Sequence, residues 1–194
     1  HVHTEYSLLD GSSRIKDIVK KAKEYGMPSL AITDHGAMFG VIDFYKACRE
    51  VGIKPILGCE VYVAPRKMTD KVAGIDNEYY HLVLIAENNE GYKNLMKIVS
   101  KAALEGFYYK PRVDKELLKK YSKGIIALSA CLAGEVQDLL LKGRYEDAKR
   151  IALELEDIFG RGNFYLELQD HGIEEQRTVN EKLIDLSKET GIPL

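Results

Sequence analysis

Ser29-Leu30-Ala31-Ile32-Thr33-Asp34-His35-Gly36 decides how this chain is read. Ser29 to Thr33 has the composition of a short buried strand, and Asp34 and His35 stand at its end, just before a helical pattern begins. Folds that alternate strands and helices collect their functional groups at such strand ends. Upstream, Ile15, Ile18, Val19 and Ala22 recur at i, i+3, i+4 and i+7. That spacing predicts an amphipathic helix, capped by Ser12 or Ser13 and ended at Gly26. Downstream, Val41, Phe44, Tyr45, Cys48 and Val51 share a helical face closed by Gly52, and Lys54 to Val63 reads as a strand.

The alternation continues past an exposed polar loop at 65–78. Strands are predicted at His81–Ala86, Gly124–Ser129 and Asn163–Gln169. Helices are predicted around Tyr92–Val99, Val136–Leu141, Ala148–Phe159 and Val179–Leu186. Short apolar strands between helices predict an α/β fold with a parallel sheet and helices outside. About six such units are visible, and Pro193-Leu194 reads as the start of a seventh strand. A barrel suits the pattern better than an open sheet, because candidate ligands spread over all the strands instead of clustering at one switch point. One domain over residues 1–194 is expected, as a piece of a longer protein.

Bulk properties narrow the function. The chain has 28 Lys and Arg against 30 Asp and Glu, a net charge of −2, so no overall basic field advertises nucleic acid. No run of 18 apolar residues and no signal-peptide pattern is present, which predicts a cytoplasmic protein with no membrane partner. Cys48, Cys59 and Cys131 form no CxxC, in keeping with a reducing compartment.

What stands out is a scattered series of metal-binding residue types: His1, His3, Asp10, His35, Glu60, His81 and Cys131. His1 and His3, at i and i+2 of an extended segment, put two imidazoles on one side, or are a terminal surface pair. Asp10 before Gly11 reads as a ligand or as a turn aspartate. Asp34 reads as a carboxylate orienting an imidazole or as a helix cap. Glu60 interrupts an apolar strand, where a carboxylate needs cations or a buried ion pair, with Lys54 or Arg66 as candidate partners. His81 begins its strand instead of ending it, which in a parallel barrel sends it to the wrong face. Cys131 follows a strand on the expected side, as ligand or as small core residue. His171, in Gln169-Asp170-His171-Gly172, is a candidate acid–base or phosphate contact. Phe107-Tyr108-Tyr109-Lys110-Pro111-Arg112 mixes aromatics with cations: it could stack a base with Lys110 and Arg112 on phosphate, or pack a loop over the barrel.

Together these residues resemble the PHP family, the polymerase and histidinol phosphatase domains, whose ligand order is HxH, Asp, His, Glu, His, Cys and a final Asp-x-His. His1, His3, Asp10, His35, Glu60, His81 and Cys131 match the first seven in order, and the last two ligands would fall beyond Leu194. The resemblance implies a distorted seven-stranded barrel, here short of its last strand, and makes His81 a ligand. It implies His1, His3 and Glu60 on one ion, Glu60, His81 and Cys131 on a second, and Asp10 with His35 on a third. Two to three divalent ions are implied, zinc foremost given a thiolate among imidazoles, with manganese or iron as alternatives.

Residues 3–11, 52–58, 105–112 and 128–135 are further similar to the N-terminal region of bacterial DNA polymerase III alpha subunits. That likeness implies a metal-dependent phosphoesterase module in DNA replication. A 3′–5′ exonuclease acting on a primer 3′ end leads, with the rest of the polymerase as partner. The alternatives are a structural module that stabilises the polymerase or docks a separate proofreading exonuclease, and a pyrophosphatase.

Overall fold

The computed structural model describes residues 1–194. In order the chain forms α1 (Ile15–Glu24), β1 (Ser29–Ile32), α2 (Val41–Val51), β2 (Lys54–Val63), β3 (Tyr80–Ala86), α3 (Asn89–Leu104), β4 (Phe107–Tyr108) and β5 (Lys110–Val113). Then follow α4 (Lys115–Tyr121), β6 (Ile125–Leu128), α5 (Glu135–Leu141), α6 (Tyr145–Phe159), β7 (Phe164–Tyr165) and α7 (Glu174–Thr190).

The strands make one sheet ordered β4-β5-β2-β3-β6-β7, with β1 also against β2. It is an α/β sheet that does not close into a full barrel. Val2 lies beside the end of β1, Thr33 N–H donating to Val2 O, while Leu166 N–H donates to Pro193 O beyond β7. The expected all-parallel sheet is corrected: β3 runs antiparallel to both β2 and β6, whereas β1–β2, β2–β5 and β6–β7 are parallel. The direct chain from β2 to β3 through residues 64–79 contains no helix, so nothing forces a parallel crossover.

Period-two alternation divides the sheet's faces. Cys59, Val61 and Val63 of β2, with Leu82 and Leu84 of β3, face the helices and join a core containing Leu95, Ile98, Leu118, Leu140, Ala152 and Leu183. A smaller cluster packs α1 and α2 on β1 through Ile15, Val19, Ala22, Ile32, Phe44 and Cys48. Glu60, Tyr62 and His81 are left for the opposite face. The start of α1 differs from the expected serine cap. Ser13 instead bridges to Thr4, and the carboxylate of Glu5 accepts the Ile15 N–H.

Candidate metal centre

Because β3 is reversed, its first residues lie at the same end of the sheet as the last residues of β1, β2 and β6. His81 therefore reaches the site from the start of its strand, which resolves the apparent misplacement. Opposite Tyr62 in the β2–β3 register, it is the diagonal neighbour of Glu60 on one face.

Glu60 is the hub, with no solvent-exposed surface. Its Oε2 lies 2.6 Å from His1 Nδ1, 2.6 Å from His3 Nε2 and 3.8 Å from His35 Nδ1. Its Oε1 lies 2.6 Å from His81 Nδ1. Neither Lys54 nor Arg66 supplies the counter-charge; Arg66 pairs with Asp76. Asp10 Oδ2 is shared by His3 Nδ1 and His35 Nε2, each at 3.0 Å. Cys131 Sγ is 3.6 Å from His81 Nδ1. Four of the chain's 5 histidines thus converge on two carboxylates and a thiol.

The backbone explains the convergence. The chain after β1 continues beside β2, Glu60 N–H donating to Asp34 O and Gly36 N–H to Glu60 O, which sets His35 next to Glu60. Asp34 neither orients an imidazole nor caps a helix. It is buried and accepts from Thr4 N–H, Thr4 Oγ1 and Ser7 Oγ, tying the 3–10 segment to the end of β1. Ser7 Oγ in turn accepts the His35 N–H at 3.1 Å. Cys131 is aimed by a turn in which Ala130 adopts φ 68° and Gly134 N–H donates to Cys131 O. His81 N–H donates to Ala133 O in the same turn.

Electrostatics follow from this crowding. Burial alone would raise the Glu60 pKa, yet contact with His1, His3 and His81 holds it far below the ordinary carboxylate range. Burial lowers His81, but Cys131 and Glu60 outweigh it and raise it to about 9. Burial likewise opposes the charged forms of His1 and His3, which Glu60 nonetheless raises. Burial would raise Asp10 and Cys131; His35 and His3 lower Asp10, and His81 lowers Cys131. His35 goes the other way: burial lowers it, and the positive charge of His3 adds to that despite Glu60.

Two observations show a donor set that suits cations. His35 Nδ1 and Glu60 Oε1 are buried without a hydrogen-bond partner, so even the close His81–Glu60 approach lacks hydrogen-bond direction. Donor atoms also group within 4.8 Å of one another as His1–Glu60–Cys131, His3–Asp10–His35 and His35–Glu60–His81. Imidazole, carboxylate and thiol in such groups are ordinary zinc-type ligands. These triads cut across the partition implied by the resemblance, placing Cys131 with His1 and linking His35 to both Asp10 and Glu60.

Other candidates lie elsewhere. Arg112 is a correction: its guanidinium is fully buried and donates to the carbonyls of Gly106, Asp76, Met68 and Asp70, leaving no face for phosphate. Lys110 does line a cavity of about 520 Å³ together with Asp10, His35 and His81. His171 is exposed in the bend before α7, bonded to Gln176, and does not line that cavity.

Sequence reasoning passed over Tyr62, whose ring stacks on His35 at 5.8 Å and which, two residues after Glu60, shares its face. It also passed over Glu167, whose Oε1 is 3.6 Å from His1 Nε2 and whose Oε2 is buried without a partner. The signal for Glu167 was the alternation that buries Phe164 and Leu166, which leaves Glu167, just past β7, on the side away from the core.

Comparison with known proteins agrees with this geometry. The family model described as the PHP domain matches residues 1–171. A DNA polymerase III alpha subunit of Borreliella burgdorferi is 51% identical over 195 residues, covering 100% of this chain and 17% of that protein. One from Treponema pallidum is 50% identical over 195 residues, with the same coverage of 100% and 17%. The chain thus spans about a sixth of the length of the curated relatives it matches. Among solved structures, a protein provisionally described as a metal-dependent phosphoesterase from Bifidobacterium adolescentis superposes with TM-score 0.59 at 13% identity. That superposition covers 99% of this chain and 83% of the other, and shows a shared fold.

Proposed function

The chain belongs to the PHP domain family, and from that membership we propose that it is a metal-dependent phosphoesterase module of a replicative DNA polymerase. The activity best supported is 3′–5′ exonuclease cleavage at a primer end. One observation carries the reading: His1, His3, His35 and His81 surround Glu60 and Asp10 at the edge of an open cavity. A purely structural ion pair needs one cation per carboxylate, not four imidazoles.

His1, His3, Asp10, His35, Glu60, His81 and Cys131 would hold the ions, zinc being favoured by the thiol. Divalent cations, if held at these donors, would supply an acidified water with a pKa of about 7 and charge neutralisation for a phosphoryl group. The chain's own groups do the rest. Glu60, kept ionised, offers both oxygens at the centre of the cluster. Asp10 and His35 reach into the cavity where a phosphodiester would enter. Lys110, which forms no ion pair, would hold a neighbouring phosphate.

A second reading is favoured by the separate origins of the donors, which come from the N-terminal segment and the ends of β1, β2, β3 and β6. Cations bridging these would staple the sheet and stabilise the polymerase without turnover. The full-length protein separates the two readings. Metal content, hydrolysis of primed DNA and of pyrophosphate, and melting temperature are measured for the parent and for Glu60→Ala, with and without chelator. Cleavage of primed DNA that Glu60→Ala and chelator both abolish supports the exonuclease. Bound metal with neither substrate degraded, and Glu60→Ala lowering only the melting temperature, overturns it in favour of the staple.

A further inference from the structure

We propose that the β4–β5 hairpin is a stacking platform for an unpaired nucleobase, seating the adjoining phosphodiester on the Asp10–His35–His81 side of the centre; this rests on the phosphodiester reading above.

Position is the first support. Phe107, Lys110 and Pro111 line the same cavity as Asp10, His35 and His81, and its volume of about 520 Å³ lies within the usual range for small-ligand sites. Tyr62 and Tyr79, with ring centroids 4.9 Å apart, continue the aromatic lining up to His81.

Exposure is the second. The aromatics of this stretch divide their work. Tyr108 lies against the buried Arg112 guanidinium, 5.2 Å from ring centre, and does the packing of the loop. Phe107 and Tyr109 are left 56% and 68% exposed. Tyr109 packs edge-on against Tyr108, ring centroids 4.7 Å apart, whereas Phe107 lines the cavity and gains by covering its face with another planar ring.

Backbone strain is the third. Tyr109 sits at φ 59°, a left-handed conformation unfavourable to a bulky residue. The strand pairs Phe107–Pro111 and Tyr108–Lys110 hold it there. Such outliers persist where the surroundings fix them, often beside ligands.

Charge selects the ligand class. Lys110 Nζ stands 5.4 Å from the Tyr62 ring centre and forms no ion pair. A cation beside exposed aromatic faces matches the two halves of a nucleotide, phosphate and base. Phe107, the exposed ring that lines the cavity, has no polar group with which to address a base edge, so the platform takes any base that is free to unstack. A base held in duplex would not reach it.

The test uses the full-length protein and a single-stranded oligodeoxynucleotide ending in 2-aminopurine, with chelator present so that no cleavage occurs. The expected result is quenching of the 2-aminopurine fluorescence on binding. Phe107→Ala should remove most of the quenching and weaken binding about tenfold, the scale of one lost stacked base. Phe107→Tyr should restore both. With an abasic 3′ terminus, the parent and Phe107→Ala should bind alike.

Absence of quenching by the parent overturns the proposal, as does a response indifferent to Phe107→Ala. An indifferent response combined with subunit loss from the purified polymerase assembly would assign the hairpin to a protein partner instead. The two readings fail separately: Phe107-dependent quenching without DNA cleavage under metal keeps the platform and removes the phosphoesterase. Cleavage without such quenching does the reverse.

Discussion

Glu60 and His81 meet at 2.6 Å although 21 positions separate them, because antiparallel β2 and β3 place them diagonally on one face of the sheet. The contact ties the strand that bears the central carboxylate to the strand that runs against its neighbours. In a parallel pairing the last residues of β2 and the first residues of β3 would lie at opposite ends of the sheet, and the two side chains could not meet.

Replacing the hub is the most direct perturbation. Glu60→Gln keeps the volume and removes the charge that three imidazoles contact at 2.6 Å. Without metal, the variant should lose about 3–5 kcal/mol, the usual cost of removing one partner from a buried charged pair. Urea unfolding of the chelated protein measures the loss, and metal analysis of the untreated variant should find the ions largely gone. Parental stability and metal content together would refute the central role of Glu60.

Stability should also depend on pH with opposite signs at the two ends. His81 is raised to about 9, above its unfolded value of 6.5. Its contribution is therefore complete below about pH 6.5 and disappears as pH rises through 9. Glu60 is lowered, so its contribution is present above the ordinary glutamate pKa and is lost as acid protonates it. The chelated protein should melt highest near pH 6, with a decline toward pH 9 that His81→Asn flattens. A melting temperature that climbs from pH 7 to 9 would contradict this.

Metal loading should release protons. Cys131 and Glu60 raise His81 to about 9 and Glu60 raises His1 and His3, so protons bound on these imidazoles must leave before they ligate. Zinc affinity measured by competition with a chromophoric chelator should rise steadily from pH 6 to 9. Calorimetry in buffers of different ionisation enthalpy should report proton release at pH 7. A flat affinity profile would argue against these histidines as ligands.

The Cys131 turn has little room. A Cβ at Gly134 would lie 2.1 Å from the Ser129 carbonyl oxygen, so Gly134→Ala must shift the backbone that carries Cys131 and receives the His81 N–H. A loss of about 1–3 kcal/mol is expected from the overpacking. Zinc occupancy should fall with it, read by thermal melting and metal analysis on the same sample.

Arg112 predicts a loop phenotype. Its guanidinium satisfies four backbone carbonyls, of which Met68, Asp70 and Asp76 belong to the 65–78 segment. Arg112→Met should leave these acceptors buried without donors and make the segment a preferred site of limited proteolysis. Arg112→Lys should rescue only partly, because an ammonium lacks the planar fork. Unaltered cleavage kinetics in both variants would rule out the anchoring role.

Much of this protein was legible along the chain. The spacing of Ile15, Val19 and Ala22 announced α1, and β2 spans Lys54–Val63 as its Ile and Val content predicted. Glu60 could be singled out because an ionised side chain inside an apolar strand needs an explanation. Arg112 was misjudged for the converse reason. A cation next to aromatics in sequence looks the same whether its donors face solvent or backbone carbonyls, and only the course of residues 68–76 around it decides.

Residue type and periodicity by themselves determined the seven candidate ligands and most of the strands and helices, though not the short β4, β5 and α4, and drew β7 longer than its two residues. Those are local properties, set by side-chain character and by the periods of 2 and 3.6. Strand direction is different, since it depends on which neighbours a segment pairs with across long sequence distances. The tertiary structure alone reversed β3, and through that reversal brought His81 to Glu60 and within 3.6 Å of Cys131.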